Sequence, residues 1–339
     1  MPFFGRKNEL NTLKELYDSD SYEGIIIYGR RQIGKSELLK KSFEQCRHIC
    51  IYFECTKATV EMNTDNLAEV IARRFAIPKP AFDSMSDAIA FVASQAMDEP
   101  VVLVLDEYPY IRDTAGVMDS ELQKVIDTYK TKAKLKLILC GSYVDVMKSL
   151  LSENNPLYRR FSTSMNITQM DYYESALFYQ DYSPEEKLQI YSVFGGVPYY
   201  NQFIDTKLSV KQNILKLILE KNGRLSGGPE QYLEQEISKM ANANEVFFAI
   251  AKGKCKFSEI LSKSHVSSSP ALANVLNRLI SMDVIVKNVP INDENEKKCL
   301  YRISDRFSLF YYTYILLIVS QHFGLYKDST NTKKYRLLR

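Results

Sequence analysis

The sequence predicts an α/β fold: a parallel sheet with helices on both faces, continued by a helical segment and a small domain of three helices and a two-stranded wing. Three observations carry the core of this expectation. Residues Gly29 to Ser36 read GRRQIGKS, a complete G-x-x-x-x-G-K-[ST] phosphate loop set between an apolar run and a helical pattern. Strand-like apolar runs alternate with helical periodicities through the first half of the chain, which implies parallel strands covered on both faces. The run Val101-Val-Leu-Val-Leu-Asp106-Glu107 brings two carboxylates to the carboxyl end of a buried strand, where such sheets place ligands. Together they specify the sheet of a P-loop NTPase.

The elements follow in order. A helical stretch from Asn8 to Tyr17 precedes the strand Gly24 to Tyr28, which runs straight into the loop. Lys35 to Phe43 then reads as a helix with Leu38, Leu39 and Phe43 on one face. A strand from His48 to Cys55 follows, then helices from Thr64 to Phe75 and Ser84 to Met97. After the strand ending in Asp106 come a helix from Ser120 to Tyr129, a strand from Leu135 to Cys140 and a fifth from Ser164 to Ile167.

Each loop residue has a physical task. Gly29 and Gly34 let the backbone turn so that successive N–H groups converge on phosphate oxygens, and the start of the next helix adds its positive end. Lys35 supplies a point charge for the β- and γ-phosphates of ATP, the amide of Glu37 faces the inner phosphate, and the Ser36 hydroxyl is placed to ligate Mg²⁺. Asp106 is suited to hold that metal with Ser36, and Glu107 to orient and polarise the attacking water. An apolar run ending in Asp-Glu is weak alone but strong about 70 residues behind a complete phosphate loop.

Two further features stay open on the residues alone. Ser142, after Cys140-Gly141, either meets the γ-phosphate and its attacking water or caps the helix predicted from Tyr143 to Leu151. Asn155-Pro-Leu-Tyr-Arg-Arg-Phe161 offers Arg159 and Arg160 either as a solvated pair or as an arginine finger reaching a neighbouring subunit's nucleotide, which would make the chain a homo-oligomer.

Composition bounds the rest. A chain of 339 residues can hold two or three domains. No signal peptide is read, and the apolar segment Leu309 to Val319 is too short to cross a bilayer about 30 Å thick as a helix, so it reads as a core helix. Six cysteines without regular spacing argue for reduced thiols and a cytoplasmic protein. Cys46, His48, Cys50 and Cys55 could be drawn as a metal site, but their strand-like setting favours ordinary thiols. From residue 250 onward Lys and Arg outnumber Asp and Glu by 15 to 7, a balance of +8 in a chain of net charge +3. That asymmetry can accompany nucleic-acid contact or mark an ordinary solvated surface.

The second half is predicted helical from 170 to 240, with stretches Tyr172 to Tyr182, Glu185 to Phe194, Val210 to Glu220 and Gln231 to Met240, punctuated by Gly195-Gly196 and Gly227-Gly228-Pro229. Helices from Glu245 to Ala251, Phe257 to Lys263 and Pro270 to Met282, then strands Val284 to Val289 and Lys298 to Ile303 across a polar loop, read as a winged helix-turn-helix. Its third helix carries a single basic residue, Arg278, so DNA-backbone contact and protein docking are equal options.

Phe3-Phe-Gly-Arg-Lys-Asn-Glu-Leu10, the phosphate loop, Leu105-Asp-Glu-Tyr-Pro-Tyr110, Cys140-Gly-Ser142, Asn155-Pro-Leu-Tyr-Arg159 and Gly195-Gly-Val-Pro-Tyr199 occur in that order. The set resembles the archaeal-type ATPase family, which belongs with the STAND and origin-recognition-like branches of the AAA+ proteins. The resemblance extends to about residue 312 and implies roles that the residues alone leave open. Gly5 and Arg6 match a segment near the adenine and ribose. Gly196 and Pro198 match the element of a helical lid that contacts the nucleotide, and Arg159 rather than Arg160 matches the motif arginine. The glycine often found between the Tyr and Arg of that motif is absent here, and no nuclease pattern is visible.

The expected organisation is an AAA+/STAND core over 1–168, a helical lid over 169–241, a winged helix over 242–305 and a helical tail over 306–339. The expected function is a Mg²⁺-dependent ATPase acting as a conformational switch. A DNA-binding regulator with little turnover is the alternative, and a small-molecule kinase is disfavoured because helical and winged segments follow the core.

Overall fold

The computed structural model describes residues 2–229, 242–290 and 299–315. The helix expected at Gln231 to Met240, the wing loop at Asn292 to Lys297 and the chain beyond residue 315 lie outside them. The chain divides into two compact units, residues 1–168 and 169–339.

The first unit opens with α1 (Lys7–Tyr17) and β1 (Glu23–Tyr28), followed by α2 (Lys35–Phe43), β2 (Ile49–Glu54), α3 (Val60–Phe75), α4 (Met85–Gln95) and β3 (Val101–Asp106). It continues through α5 (Pro109–Ala115), α6 (Met118–Tyr129), β4 (Leu135–Gly141), α7 (Val144–Ser149) and β5 (Thr163–Asn166). The strands form one parallel sheet in the order β2-β3-β4-β1-β5. Every residue of β3 and β4 is buried, Lys136 and Asp106 included, as expected of central strands covered by helices on both faces. Ile26, Leu103, Leu137 and Leu139 from the sheet join Leu67, Ile71, Ile89, Leu122 and Ile126 from the helices in one core.

This strand order positions the site. The chain leaves β1 for the far edge at β2 and returns through β3 and β4, so β4 pairs with both β1 and β3. The phosphate loop after β1, the acidic pair after β3 and Ser142 after β4 therefore leave adjacent strands at their carboxyl ends.

The structure amends several expected boundaries. The third helix begins at Val60, one turn before the expected Thr64, because the Thr59 side chain accepts the Met62 N–H at 3.3 Å as an N-cap. The helix Pro109–Ala115 was not anticipated; its start is set by Pro109 in the first turn. The helix expected from Tyr143 to Leu151 is confined to Val144–Ser149 and has no side-chain cap.

The second unit begins with α8 (Tyr172–Ser175), which tightens into a 3₁₀ turn at Ala176–Phe178 instead of running on to Tyr182. Ser183 starts the next helix, α9 (Pro184–Phe194), with a capping box to Glu186 and Pro184 in its first turn, so the preceding helix has to stop. After α10 (Pro198–Asn201), α11 (Val210–Ile214) passes into a π-helical turn at Leu215–Leu219. Buried Asn213 ties this region together, donating to the Tyr182 hydroxyl at 2.8 Å and the Asp205 carbonyl at 3.0 Å. Helices Ala243–Ala251, Phe257–Lys263 and Ser269–Ser281 then pack around Phe247, Ile260, Leu272, Leu276 and Leu279, with antiparallel strands Ile285–Asn288 and Leu300–Ile303 against them. Among the described residues no helix is long and apolar enough to cross a membrane.

Candidate nucleotide site

Gly29 follows β1 at φ 156, and a Cβ there would stand 2.1 Å from the carbonyl oxygen of Ile167, which follows β5, so no larger residue fits where the two segments leave their strands. Gly34, at φ 91, turns the chain into α2. The loop is thus held by a neighbouring strand on one side and by a nine-residue helix on the other. The first turn of that helix contains Ser36 and exposed Glu37, whose side chain pairs with Lys40 at 3.4 Å.

Three side chains that follow three adjacent strand ends form one hydrogen-bonded chain. Lys35, 5 % exposed, points Nζ back at the carbonyls of Gly29 (2.8 Å) and Arg30 (3.0 Å) and donates to Ser142 Oγ at 3.0 Å. Ser142 in turn donates to Glu107 Oε1 at 2.7 Å. Its hydroxyl therefore serves the acidic pair and not a helix cap. Glu107 Oε2 is buried and has no hydrogen-bond partner among the described residues. A buried carboxylate oxygen without a donor is costly, and a water donating to it would remove that cost.

Asp106 is the better-satisfied acid. Oδ2 accepts from Ser36 Oγ at 2.6 Å and from the Tyr52 hydroxyl, and Oδ1 accepts the Glu107 N–H at 2.9 Å. Burial pushes its carboxyl up, but hydrogen bonds from Cys140, Ser36, Tyr52 and the Glu107 backbone outweigh this and hold it below its ordinary value. Tyr52 is held well above the usual phenol range by burial and by the charge of Asp106, and so remains a donor. The two neighbouring acids differ because Glu107, at φ 52, adopts left-handed backbone that turns its side chain toward Ser142.

Ser36 and Asp106 fit Mg²⁺ by their chemistry: a hydroxyl and an ionised carboxylate already within hydrogen-bond distance, both hard oxygen donors. Arg6, only 4 % exposed, caps the loop's other side, donating to the carbonyls of Ile33 (3.4 Å) and Thr168 (2.5 Å) and pairing with Glu9 at 3.0 Å. It follows Gly5, and both have positive φ.

Arg159 and Arg160 separate clearly. Arg160 is committed within the unit, bidentate to Asp127 at 2.7 and 3.1 Å with a further donor on the Pro156 carbonyl at 2.9 Å. Arg159 is exposed, lies against the Tyr158 ring at 5.1 Å and takes no part in the chain from Lys35 to Glu107. At φ 60 it occupies a backbone conformation that favours glycine. Gly196 and Pro198 belong to the second unit. There the Gly196 carbonyl accepts the Met170 N–H at 2.8 Å, and a Cβ on Gly196 would fall 1.8 Å from the Met170 carbonyl oxygen.

Sequence reasoning missed Tyr52, Asp119 and the group around Arg31. Tyr52 reaches Asp106 because β2 pairs with β3, which no local pattern reveals. Asp119 accepts from Tyr108 (2.7 Å), Arg112 (2.8 Å) and Asn155 (2.8 Å), joining the residues after Glu107 to the Asn155–Arg159 segment. Arg31, inside the phosphate loop, donates to the Tyr110 hydroxyl at 2.9 Å and the Tyr143 hydroxyl at 3.4 Å. Tyr110 lies within the Leu105–Tyr110 motif, so its spacing from Glu107 was the available signal.

The strand order, the loop and the paired acids define a P-loop NTPase of the AAA+ type. Residues 3–201 match the model of a family described as an ATPase domain predominantly from Archaea, and the chain belongs to that family. An uncharacterized protein of Methanocaldococcus jannaschii is 30 % identical over 320 residues, covering 92 % of this chain and 69 % of that one. Among solved structures, the Walker-type ATPase of Pyrococcus abyssi aligns with TM-score 0.69 at 18 % identity, over 91 % of this chain and 96 % of the other. The Aeropyrum pernix ORC2 protein, solved as ADPNP and ADP complexes, aligns with TM-score 0.57 at 13 % identity, over 96 % of both. At those identities the likeness is one of fold.

Proposed function

We propose that the chain binds and hydrolyses Mg-ATP and uses the cycle as a conformational switch. The observation that carries this reading is the chain Lys35–Ser142–Glu107, with Glu107 Oε2 buried and unbonded beside the Ser36–Asp106 pair. Lys35 would exchange its Gly29 and Arg30 carbonyls for phosphate oxygens, while Ser142 keeps Glu107 aimed. Glu107 would accept a hydrogen bond from the attacking water and orient it toward the γ-phosphate. Mg²⁺, held by Ser36 with Asp106, would supply charge neutralisation at the phosphates. Gly5 and Arg6 would flank the base and ribose. Arg159 is the candidate finger, since Arg160 is already occupied by Asp127.

In this reading residues 169–241 act as the lid, with Gly196 and Pro198 meeting the nucleotide, and 242–305 form a winged helix that reports the bound state to DNA or a protein partner. The three packed helices with an antiparallel strand pair, and exposed Lys252, Lys256, Lys263 and Arg278, support that domain reading. The test is Glu107→Gln, assayed for phosphate release and for ATP affinity. Turnover should fall at least about 100-fold with the dissociation constant changed less than about threefold. A wild-type chain that binds ATP but releases no phosphate, alone or with duplex DNA, would overturn hydrolysis and favour the DNA-binding regulator.

A further inference from the structure

The phosphate loop meets the acid-bearing segment at a second place, outside the chain from Lys35 to Glu107. Arg31, half-buried within the loop, donates to the Tyr110 hydroxyl at 2.9 Å and the Tyr143 hydroxyl at 3.4 Å, and its guanidinium lies 5.6 Å from the centre of the Tyr143 ring. The two tyrosines meet edge to face with ring centres 6.0 Å apart. Each sits close to one member of the relay. The Tyr110 N–H donates to the Glu107 carbonyl at 3.0 Å, and Tyr143 directly follows Ser142.

The segments that follow β3 and β4 are already fastened to each other. The Tyr108 N–H donates to the Cys140 carbonyl at 2.9 Å, and a Cβ on Gly141 would fall 2.7 Å from Pro109 Cδ, so little slack is left between them. Side chains then link this pair of segments to the phosphate loop and the helix start behind it: Ser36 to Asp106, Lys35 to Ser142, and Arg31 to the two tyrosines. Metal and phosphates would claim Ser36 and Lys35 in the proposed reaction. Arg31 is a link that the nucleotide need not displace. Tyr110 keeps its proton, since burial, with the charges of Glu107 and Tyr143, pushes it above the ordinary phenol value against the pull of Arg31. Its oxygen accepts from the guanidinium as a neutral hydroxyl.

On the reading that Glu107 orients the attacking water, we propose that Arg31 is a positioning residue for hydrolysis, setting Glu107 and Ser142 against the phosphate loop through Tyr110 and Tyr143. A planar guanidinium that serves two hydroxyls fixes both segments at once, and bonds from a charged donor are among the stronger ones. Without them the Glu107 segment is free to shift relative to the loop. A shift of about 1 Å at the reacting groups costs up to about 100-fold in rate while leaving the bound phosphates their own partners.

The test compares full-length wild type with Tyr110→Phe, Tyr143→Phe and Arg31→Ala in steady-state phosphate release and in ATP and ADP binding. The Phe variants keep each ring and remove only the hydroxyl, so their melting temperatures should stay within about 4 °C of wild type. Turnover should fall about tenfold in Tyr110→Phe and at least about 30-fold in Arg31→Ala, with KM for ATP and both dissociation constants changed less than about threefold. Adding both Phe changes to Arg31→Ala should lower kcat by less than a further factor of about two, because the three side chains act as one unit. Unchanged kcat in all three variants of an active protein would overturn the proposal. So would a loss of ATP affinity without a loss of ADP affinity, which would put Arg31 on the γ-phosphate, or equal losses of both with kcat, the mark of a merely misfolded loop. A wild type that binds ATP without any turnover would instead remove the hydrolysis reading, and the positioning role with it.

Discussion

The carboxyl and amino ends of the sheet each bury a lysine. At the carboxyl end Lys35 donates to two carbonyls of the phosphate loop and to Ser142, which passes the contact on to Glu107. At the amino end Lys136, fully buried in β4, donates to the carbonyls of Ser19 (2.7 Å) and Ser21 and to nothing that leads further. Burial and backbone partners are common to both, so neither marks function. The difference lies in what surrounds them. Lys35 stands where glycine-built backbone, a helix start and a partly unsatisfied acid converge, and its carbonyl partners can be exchanged for a phosphate. Lys136 ties the α1–β1 connection to the sheet.

Substitutions can break this contrast. Lys35→Ala should lower ATP affinity at least about 100-fold, measured by calorimetry, beyond any loss of stability from its own two carbonyls losing their donor. Lys136→Ala should leave affinity within about twofold and show only the stability loss, about 2–4 kcal/mol in urea unfolding, because two carbonyls lose their donor and a cavity opens. Equal losses of affinity in both variants would mean that the two ends are not separate in role.

Smaller changes sharpen the account of the carboxyl end. Tyr52→Phe removes one donor to Asp106 Oδ2 and should raise the Mg²⁺ concentration needed for tight ATP binding by about fivefold, or about 1 kcal/mol, leaving metal-free binding unaltered. The smallest effect concerns acid stability. Because the folded state holds Asp106 below its ordinary 3.8, the stability it contributes is present above that value and is lost as pH falls through the lowered one. Unfolding of Asp106→Asn, compared with wild type between pH 5 and pH 2, should show a shallower acid limb.

Much of the first unit was legible because its signals are local. The phosphate loop is eight contiguous residues whose chemistry is written in their identities, and the runs in β1, β3 and β4 are too apolar to be anything but buried strands. Helix ends were less legible, since a cap such as Thr59 or a break such as Ser183-Pro184 competes with the periodicity on either side. Ser142 could be read two ways, because a hydroxyl after a strand serves equally as cap or as relay. What decided its contacts was the insertion of β4 between β1 and β3, which set it within reach of both Lys35 and Glu107.

The sequence by itself therefore determined the class of fold, the phosphate loop and the two acids, since each depends on neighbouring residues and short-range periodicity. Only the tertiary structure decided that Tyr52 supports Asp106, that Asp119 binds the Asn155–Arg159 segment to the residues after Glu107, and that Arg160 is occupied while Arg159 is exposed. The bonds that cross between segments join side chains 54 positions apart for Tyr52 and Asp106, 36 for Asn155 and Asp119 and 33 for Arg160 and Asp127. Strand order and register bring them together, and neither is encoded in any single stretch of the chain.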